Sequence, residues 1–345
     1  MSGGVDSSVA AVVLKNEGYE VSGVTMRFGI PGEDGHVRRC GPTAVDDAKR
    51  VCNRLEIPHY AIDYAGELEE KVIAKFISEY KKGRTPNPCI DCNRSLKFGS
   101  LLQKARAMRF DFLATGHYAA IEQNETGYCL RRPKDRKKDQ TYFLYAIPYK
   151  DLGSILFPLA SLTKAEVREI AKKVSLPVAE IRESQDICFV TQKNYQEFLT
   201  QRGGELKPGL IVDMRGKVLG EHRGIMLYTI GQRGGLRISH TTPLYVVSID
   251  PELNQIVVGE KKDLKAKGLL AGDVNMLTEF LPRRVFAKIR YRKKEVPCEV
   301  EIARDKIIAI FAEEQEAITP GQSVVFYAHD RVLGGGVIEE VLRRF

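Results

Sequence analysis

The chain has 345 residues, enough for two or three domains that each bury a core. Lys and Arg total 53 against 45 Asp and Glu, and the net charge of +8 favours a polyanionic partner without specifying one. No apolar run approaches the roughly 20 residues of a membrane span, and Asp6 falls where a signal peptide would be basic and then apolar. A soluble, cytoplasmic protein without a membrane partner is therefore expected.

The chain opens on Ser2-Gly3-Gly4-Val5-Asp6-Ser7-Ser8, which runs into a helix starting near Val9. Small residues at a helix N-terminus let backbone N–H groups converge on a phosphate. The loop lacks the Lys of a Walker motif, so it does not read as a kinase or GTPase site. The bland alternative is a merely tight turn. Such loops ordinarily follow a central strand, about six residues long, whereas only Met1 precedes Ser2; the expectation is a missing first strand and a start recorded too late.

Val21 to Met26 reads as a strand, Ala44, Ala48, Val51, Cys52 and Leu55 as one face of a helix, and Tyr60 to Ile62 as the next strand. A longer helix with Leu68, Val72, Ile73, Phe76, Ile77 and Tyr80 inward stops at Gly83, and Phe112 to Ala114 reads as another buried strand. This β-α-β rhythm predicts a parallel sheet covered by helices. Thr163 and Glu166 form a capping box before Val167, Ile170 and Ala171, predicting a helix that ends before Pro177. Gly203, Gly204, Pro208 and Gly209 then mark a linker, and strand-turn-strand patterns follow, with Arg215-Gly216-Lys217 as one turn.

Seven cysteines, Cys40, Cys52, Cys89, Cys92, Cys129, Cys188 and Cys298, are an odd number scattered over a large chain, which argues against a secreted disulfide scaffold. They point instead to redox, metal or sulfur chemistry. In Gly83-Arg84-Thr85-Pro86-Asn87-Pro88-Cys89-Ile90-Asp91-Cys92-Asn93 two of them flank a proline-fixed turn expected to open a helix near Arg94. A thiol there, beside Arg94 and Lys97, is expected to lean toward thiolate. A third lies far away in Glu183-Ser184-Gln185-Asp186-Ile187-Cys188-Phe189. Taken singly, each cysteine is more often a small buried residue than a reactant.

The opening loop resembles that of the ATP-pyrophosphatase (PP-loop) superfamily, whose members cleave ATP between the α- and β-phosphates and adenylate an oxygen of the substrate. With the two cysteine segments, Ala114-Thr115-Gly116-His117-Tyr118, Lys138-Asp139-Gln140-Thr141-Tyr142-Phe143-Leu144 and Gly224-Ile225-Met226-Leu227-Tyr228-Thr229-Ile230-Gly231-Gln232-Arg233, the chain resembles the tRNA-specific 2-thiouridylase (MnmA) family over nearly its whole length. The resemblance implies an α/β domain, a parallel sheet with helices on both faces, followed by two small β domains, the last a β-barrel. The expected boundaries are 1–195 for the catalytic domain, 196–265 for a central β domain and 266–345 for a tRNA-binding barrel.

The implied activity is adenylation of the 2-oxygen of the wobble uridine and its replacement by sulfur. Cys188 would carry a persulfide received from a sulfur-relay protein or cysteine desulfurase. Cys92 would be the catalytic nucleophile, either releasing the terminal sulfur or resolving the persulfide into a transient Cys92–Cys188 disulfide, which needs Cα atoms within about 7 Å. Ser2, Gly3, Gly4, Val5, Asp6 and Ser7 would hold the ATP phosphates, Met26 and Gly116 would border the adenine, and Asp6 would help to hold Mg²⁺. Asn87, Pro88, Cys89, His117, Lys138, Asp139, Gln140, Arg290, Tyr291 and Gln322 would contact tRNA, although a His after a strand end is as often structural. The sequence departs from the family pattern twice: Cys89 stands where some members carry an acidic residue, and Ala120 where an Arg is common. Cys89, Cys92 and Cys188 therefore have a second use, as ligands of an iron-sulfur cluster that binds sulfide.

Two basic runs fit a nucleic-acid partner. Residues 283–294 alternate Lys288, Arg290, Arg292 and Lys294 with other residues, which on a strand makes a cationic row, and Arg131 to Lys138 forms a second cluster. Either could equally be a solvated surface. An amide-forming PP-loop synthetase would explain the loop but not the cysteines, and a non-catalytic RNA-binding protein would leave both loop and thiols without a role.

Overall fold

The computed structural model describes residues 1–29, 42–125, 127–181, 187–190 and 195–343. Cys40 and the stretch Glu183 to Asp186 lie outside the described residues. The chain divides into two units, one of Met1–Val72, Cys89–Thr191 and Asp330–Val332, the other of Ile73–Pro88, Gln192–His329 and Leu333–Phe345.

The first unit is built on parallel strand pairs. β1 (Gly23–Arg27) runs parallel to β2 (His59–Asp63), in register from Gly23 opposite His59 to Arg27 opposite Asp63. β3 (Leu113–Ala114) is the partner of a strand further along, and β4 (Ala120–Asn124) with β5 (Gly127–Arg131) forms an antiparallel hairpin. β6 (Ile155–Leu156) supplies the parallel partner of β3. Met1 lies alongside β1: its amino group donates to the Val24 carbonyl, and the Thr25 hydroxyl donates to its own carbonyl at 2.9 Å.

Parallel neighbours need crossover segments, and helices supply them. The helix Val5–Asn16 packs on Pro42–Leu55 and on Lys164–Lys173. Their shared core joins Val5, Val9, Ala10, Val12, Val51, Tyr118, Leu159, Val167 and Ala171. The capping box expected at Thr163 is complete, because Thr163 N donates to the Glu166 carboxylate at 2.6 Å while Glu166 N donates to Thr163 Oγ1 at 3.3 Å. The helix expected near Arg94 begins sooner, at Pro88, where a missing N–H costs nothing. Its middle, Cys92–Leu101, is a π-helix. Phe112 precedes β3 and is 41% exposed, edge-on to Tyr19, instead of lying in a buried strand.

The second unit is mainly antiparallel. A helix, Tyr195–Arg202, precedes the linker and stacks Tyr195 on Tyr80 with centroids 5.2 Å apart. Four strands follow, β7 (Gly209–Val212), β8 (Val218–His222), β9 (Tyr245–Asp250) and β10 (Gln255–Gly259), in the order β8-β7-β10-β9. The expected turn joins β7 to β8, with the Asp213 carboxylate accepting from Arg215 N at 2.8 Å and Lys217 N at 3.0 Å.

The remaining strands are β11 (Lys265–Met276), β12 (Arg284–Lys288), β13 (Val296–Ala303), β14 (Lys306–Glu316), β15 (Ser323–Ala328) and β16 (Arg331–Leu342). They run β11-β14-β13-β12-β15-β16, and pairing of β16 with β11 closes a six-stranded barrel. Its core holds Leu269, Val285, Cys298, Phe311, Val324 and Phe326. One expectation fails here: β12 stops at Lys288, and residues 290–293 turn, with Lys293 N donating to Arg290 O at 3.2 Å. The cationic row therefore does not continue as a strand.

Candidate active site: a phosphate loop and a thiol helix

The loop from Ser2 to Ser7 is closed by its own hydroxyls. Ser2 N donates to Ser7 Oγ at 3.1 Å, and Ser7 Oγ donates to Gly4 O at 3.1 Å. Ser8, fully buried, also donates to Gly4 O, at 2.9 Å. Gly3 has φ +69°, and a Cβ there would sit 2.8 Å from the Ala44 carbonyl. Gly116 comes closer still: its Cβ would meet Asp6 C and Ser7 N at 2.6 Å. The segment after β3 thus touches the backbone of the loop, and only a glycine fits.

Asp6 points to a cation that sequence reading missed. Lys164 Nζ donates to its two carboxylate oxygens at 2.6 and 2.7 Å, and Tyr118 Oη donates to Oδ1 at 2.9 Å. The Lys164 side chain is only 12% exposed. The available signal was a Lys in the first helical position beside Thr163, where the helix dipole disfavours positive charge. A loop without its own Lys acquires one from the helix Lys164–Lys173.

The thiol helix carries Cys89, exposed, and Cys92, buried; Cys188 is half-buried. Burial pushes the Cys92 thiol up to about 12; Lys97 acts in the opposite sense, and Cys188, Cys89 and Asp91 reinforce the rise. The distant Cys188 is thus brought within electrostatic reach of Cys92. The expected thiolate is overturned for this state, because desolvation outweighs Lys97 and because Cys92 sits four residues past the Pro88 start of its helix. Lys97 Nζ donates to Asn93 Oδ1 at 2.9 Å, and Asn93 Nδ2 donates to Phe143 O at 3.0 Å. Among the described residues no group of three His, Cys, Asp or Glu side chains is arranged to hold a metal ion.

His117 stacks edge-on to Phe157 at 6.1 Å and tilts against Phe98 at 6.0 Å, while its Nδ1 shares a 2.7 Å hydrogen bond with Thr115 Oγ1. Burial first, and Lys97 second, hold its imidazole well below the ordinary range, so it is neutral at neutral pH. Met26, half-buried, lies on β1 opposite Ile62. Asp139 Oδ1 accepts from Thr141 N and Oγ1 at 2.9 and 2.6 Å, and Gln140 Oε1 accepts from Tyr118 N at 2.8 Å. Lys138 N donates to Asp135 O at 3.0 Å. Most cations of the 131–138 cluster face carboxylates: Arg131 with Glu122, Arg132 with Asp139, Lys134 with Glu166 and Arg136 with Asp330.

In the second unit Asn87 and Pro88 follow the Thr85 turn, where Gln322 Nε2 donates to Thr85 O at 2.8 Å. Arg290 Nη2 donates to Ile230 O, Ala317 O and Thr319 Oγ1 at 3.2, 3.1 and 2.6 Å. Lys288 Nζ lies 5.4 Å from the centroid of the Tyr291 ring. Arg290 and Gln322 therefore have internal partners as well as the tRNA role expected of them.

Residues 1–192 match the family described as tRNA methyl transferase HUP domain, 196–260 its PRC-barrel domain, and 266–338 an aminomethyltransferase beta-barrel domain. Over 342 residues the chain is 58% identical to tRNA-specific 2-thiouridylase MnmA 1 of Syntrophus aciditrophicus, covering 99% of this chain and 92% of that protein. It is 50% identical to tRNA-specific 2-thiouridylase MnmA of Carboxydothermus hydrogenoformans and 49% identical to that of Moorella thermoacetica, each over 99% of this chain and 97% and 98% of the relative.

Proposed function

Because this chain belongs to the tRNA-specific 2-thiouridylase family, we propose that it is an ATP-dependent sulfurtransferase that adenylates the 2-oxygen of the wobble uridine of tRNA and replaces it with sulfur, giving 2-thiouridine, AMP and pyrophosphate. The observation that carries the reading is the approach of Cys188 to Cys92 from far along the chain, in the unit that also holds the phosphate loop.

The loop Ser2 to Ser7 binds the phosphates through backbone N–H groups and the start of its helix. Met26 and Gly116 border the adenine. Asp6 is the residue that would hold Mg²⁺, whose charge would help to neutralise the pyrophosphate. Lys164, now seated on Asp6, provides a second positive charge for the same oxygens.

A sulfur-relay protein or cysteine desulfurase loads a persulfide on Cys188, the more accessible of the two thiols. The terminal sulfur attacks carbon 2 of the adenylated uridine, and AMP leaves with the former 2-oxygen. Cys92, losing its thiol proton to water as it attacks, then bonds to the Cys188 sulfur and forms a disulfide. The electron pair of the broken S–S bond stays on the transferred sulfur, which becomes the thiocarbonyl. A thiol reductant restores both cysteines. Asn87, Pro88, Cys89 and neutral His117 line the everted base, Lys138 to Gln140 meet the anticodon loop, and Arg290, Tyr291 and Gln322 contact tRNA.

The three matched segments support a catalytic domain at 1–195, a central β domain at 196–265 and a barrel at 266–345. Among the described residues no helix is long and apolar enough to cross a membrane, and a tRNA substrate agrees with a cytoplasmic site of action. The test is nucleoside mass spectrometry after incubation with tRNA, ATP and a persulfide donor. Cys188→Ser should abolish 2-thiouridine while tRNA-dependent AMP release continues. Continued thiolation by the Cys92→Ser, Cys188→Ser double variant would end the proposal.

A further inference from the structure

The segment Gly231-Gln232-Arg233 resembles the family pattern but has no part in the chemistry above. It opens a loop that lines two adjoining grooves of the second unit, about 340 and 410 Å³ in volume. Arg233 and Arg237 line the first and Arg223 and Arg237 the second, so Arg237 and Gly235 are shared. All three guanidinium groups belong to exposed residues, and among the described residues none pairs with a carboxylate. The cluster at 131–138 differs in this respect, since four of its cations face acidic partners. Glu197, in the second groove, is the one carboxylate among the lining residues.

The loop is held, not slack. Gly231 N donates to Val246 O at 2.8 Å and Val246 N to Gln232 O at 3.0 Å, which ties it to β9. Gln232 closes the turn, accepting from Thr229 N at 3.1 Å and donating to Gly234 O at 2.9 Å. Leu236 is buried beneath it. Three like charges on a fixed frame repel one another, and with Glu197 the one carboxylate among the described lining residues, the excess positive charge suits a ligand that supplies negative charge. Guanidinium forks match phosphate oxygens in geometry as well as sign.

We propose that the grooves lined by Arg223, Arg233 and Arg237 bind the sugar–phosphate backbone of the tRNA substrate. The proposal rests on tRNA being the substrate and adds a binding surface to it. Neighbouring hydroxyl groups, those of Thr200 and Thr242, provide donors and acceptors for phosphate and 2′-hydroxyl groups without reading a base.

The test is the salt dependence of binding of a transcribed, wobble-uridine tRNA, followed by fluorescence anisotropy with the full chain. Each phosphate that the protein no longer neutralises lowers the slope of log K against log salt by about one, so the triple Arg→Gln variant should lose about two to three and bind at least about tenfold more weakly at physiological salt. Triple Arg→Lys should retain the wild-type slope. Lys306→Gln, which removes a cation already paired with Glu339 at 2.8 Å, should leave it unchanged. Should the triple variant misfold, each single Arg→Gln variant should lose about one. An unaltered slope in the Arg→Gln variants overturns the proposal, and so does a defect confined to sulfur loading by a protein donor, which would make the grooves a protein-docking surface. Failure of the wild type to form 2-thiouridine would instead remove the activity, and tRNA binding would still report on the grooves.

Discussion

At Cys92 two opposed influences meet on one sulfur. Burial holds the thiol protonated with a pKa of about 12, and Lys97 is the cation that opposes it. In the resting enzyme Cys89 should therefore be alkylated first and Cys92 last at pH 8, measured by fragment mass spectrometry of the peptide carrying both; early labelling of Cys92 would show that the thiol is not shielded. Lys97→Met should slow Cys92 further, and Lys97→Arg should not. His117 is displaced the other way. Its pKa is depressed, so its neutral form contributes stability above the ordinary imidazole value, about pH 6.5, and loses it as pH falls toward the lower folded value. Its NMR shifts should stay flat through the range in which an unperturbed imidazole titrates, around pH 6.5.

At the scale of elements, close approaches between segments explain why particular residues are needed. Gly116 lies where the chain leaves β3 and meets the phosphate loop, so Gly116→Ala puts a methyl group against Asp6 and Ser7. Overpacking of this kind costs about 1–3 kcal/mol, and where that strain falls on the ATP-bound state it predicts roughly a fivefold or greater loss in ATP affinity by calorimetry. Thr163 starts the helix that presents Lys164. Thr163→Ala should cost about 1 kcal/mol in urea unfolding through the lost cap, and it should also weaken ATP binding because Lys164 is the next residue. The π-helix Cys92–Leu101 has its own requirement, since a Cβ on Gly99 would lie 2.8 Å from Arg94 O.

Across the whole molecule, charge has to be separated into what holds the fold and what remains for a polyanion. Arg290 donates to two carbonyls and a hydroxyl, so Arg290→Ala leaves buried acceptors unsatisfied, at about 1–3 kcal/mol. It should lower the thermal midpoint as well as tRNA affinity. Arg292 is exposed, and Arg292→Ala should raise KM for tRNA with little change in melting. A drop in melting for Arg292→Ala, or none for Arg290→Ala, would reverse this division.

The glycine-serine loop at Ser2 to Ser7, the β-α-β alternation, the capping box at Thr163 and the turn at 215–217 were legible in the residues themselves, and the terminal barrel in the family motifs. Each is specified by neighbours in the chain, through periodicity, caps and turn residues, or by motifs that the family shares. Only the tertiary structure decided the partner of Asp6, the protonation of Cys92 and the fate of the basic runs. Lys164 reaches Asp6 across 158 positions, the burial of Cys92 depends on everything folded around it, and whether an arginine is spent on a carbonyl or left for phosphate depends on which groups the fold brings beside it. Desolvation and long-range pairing are properties of packed neighbours, and a linear pattern does not name those neighbours.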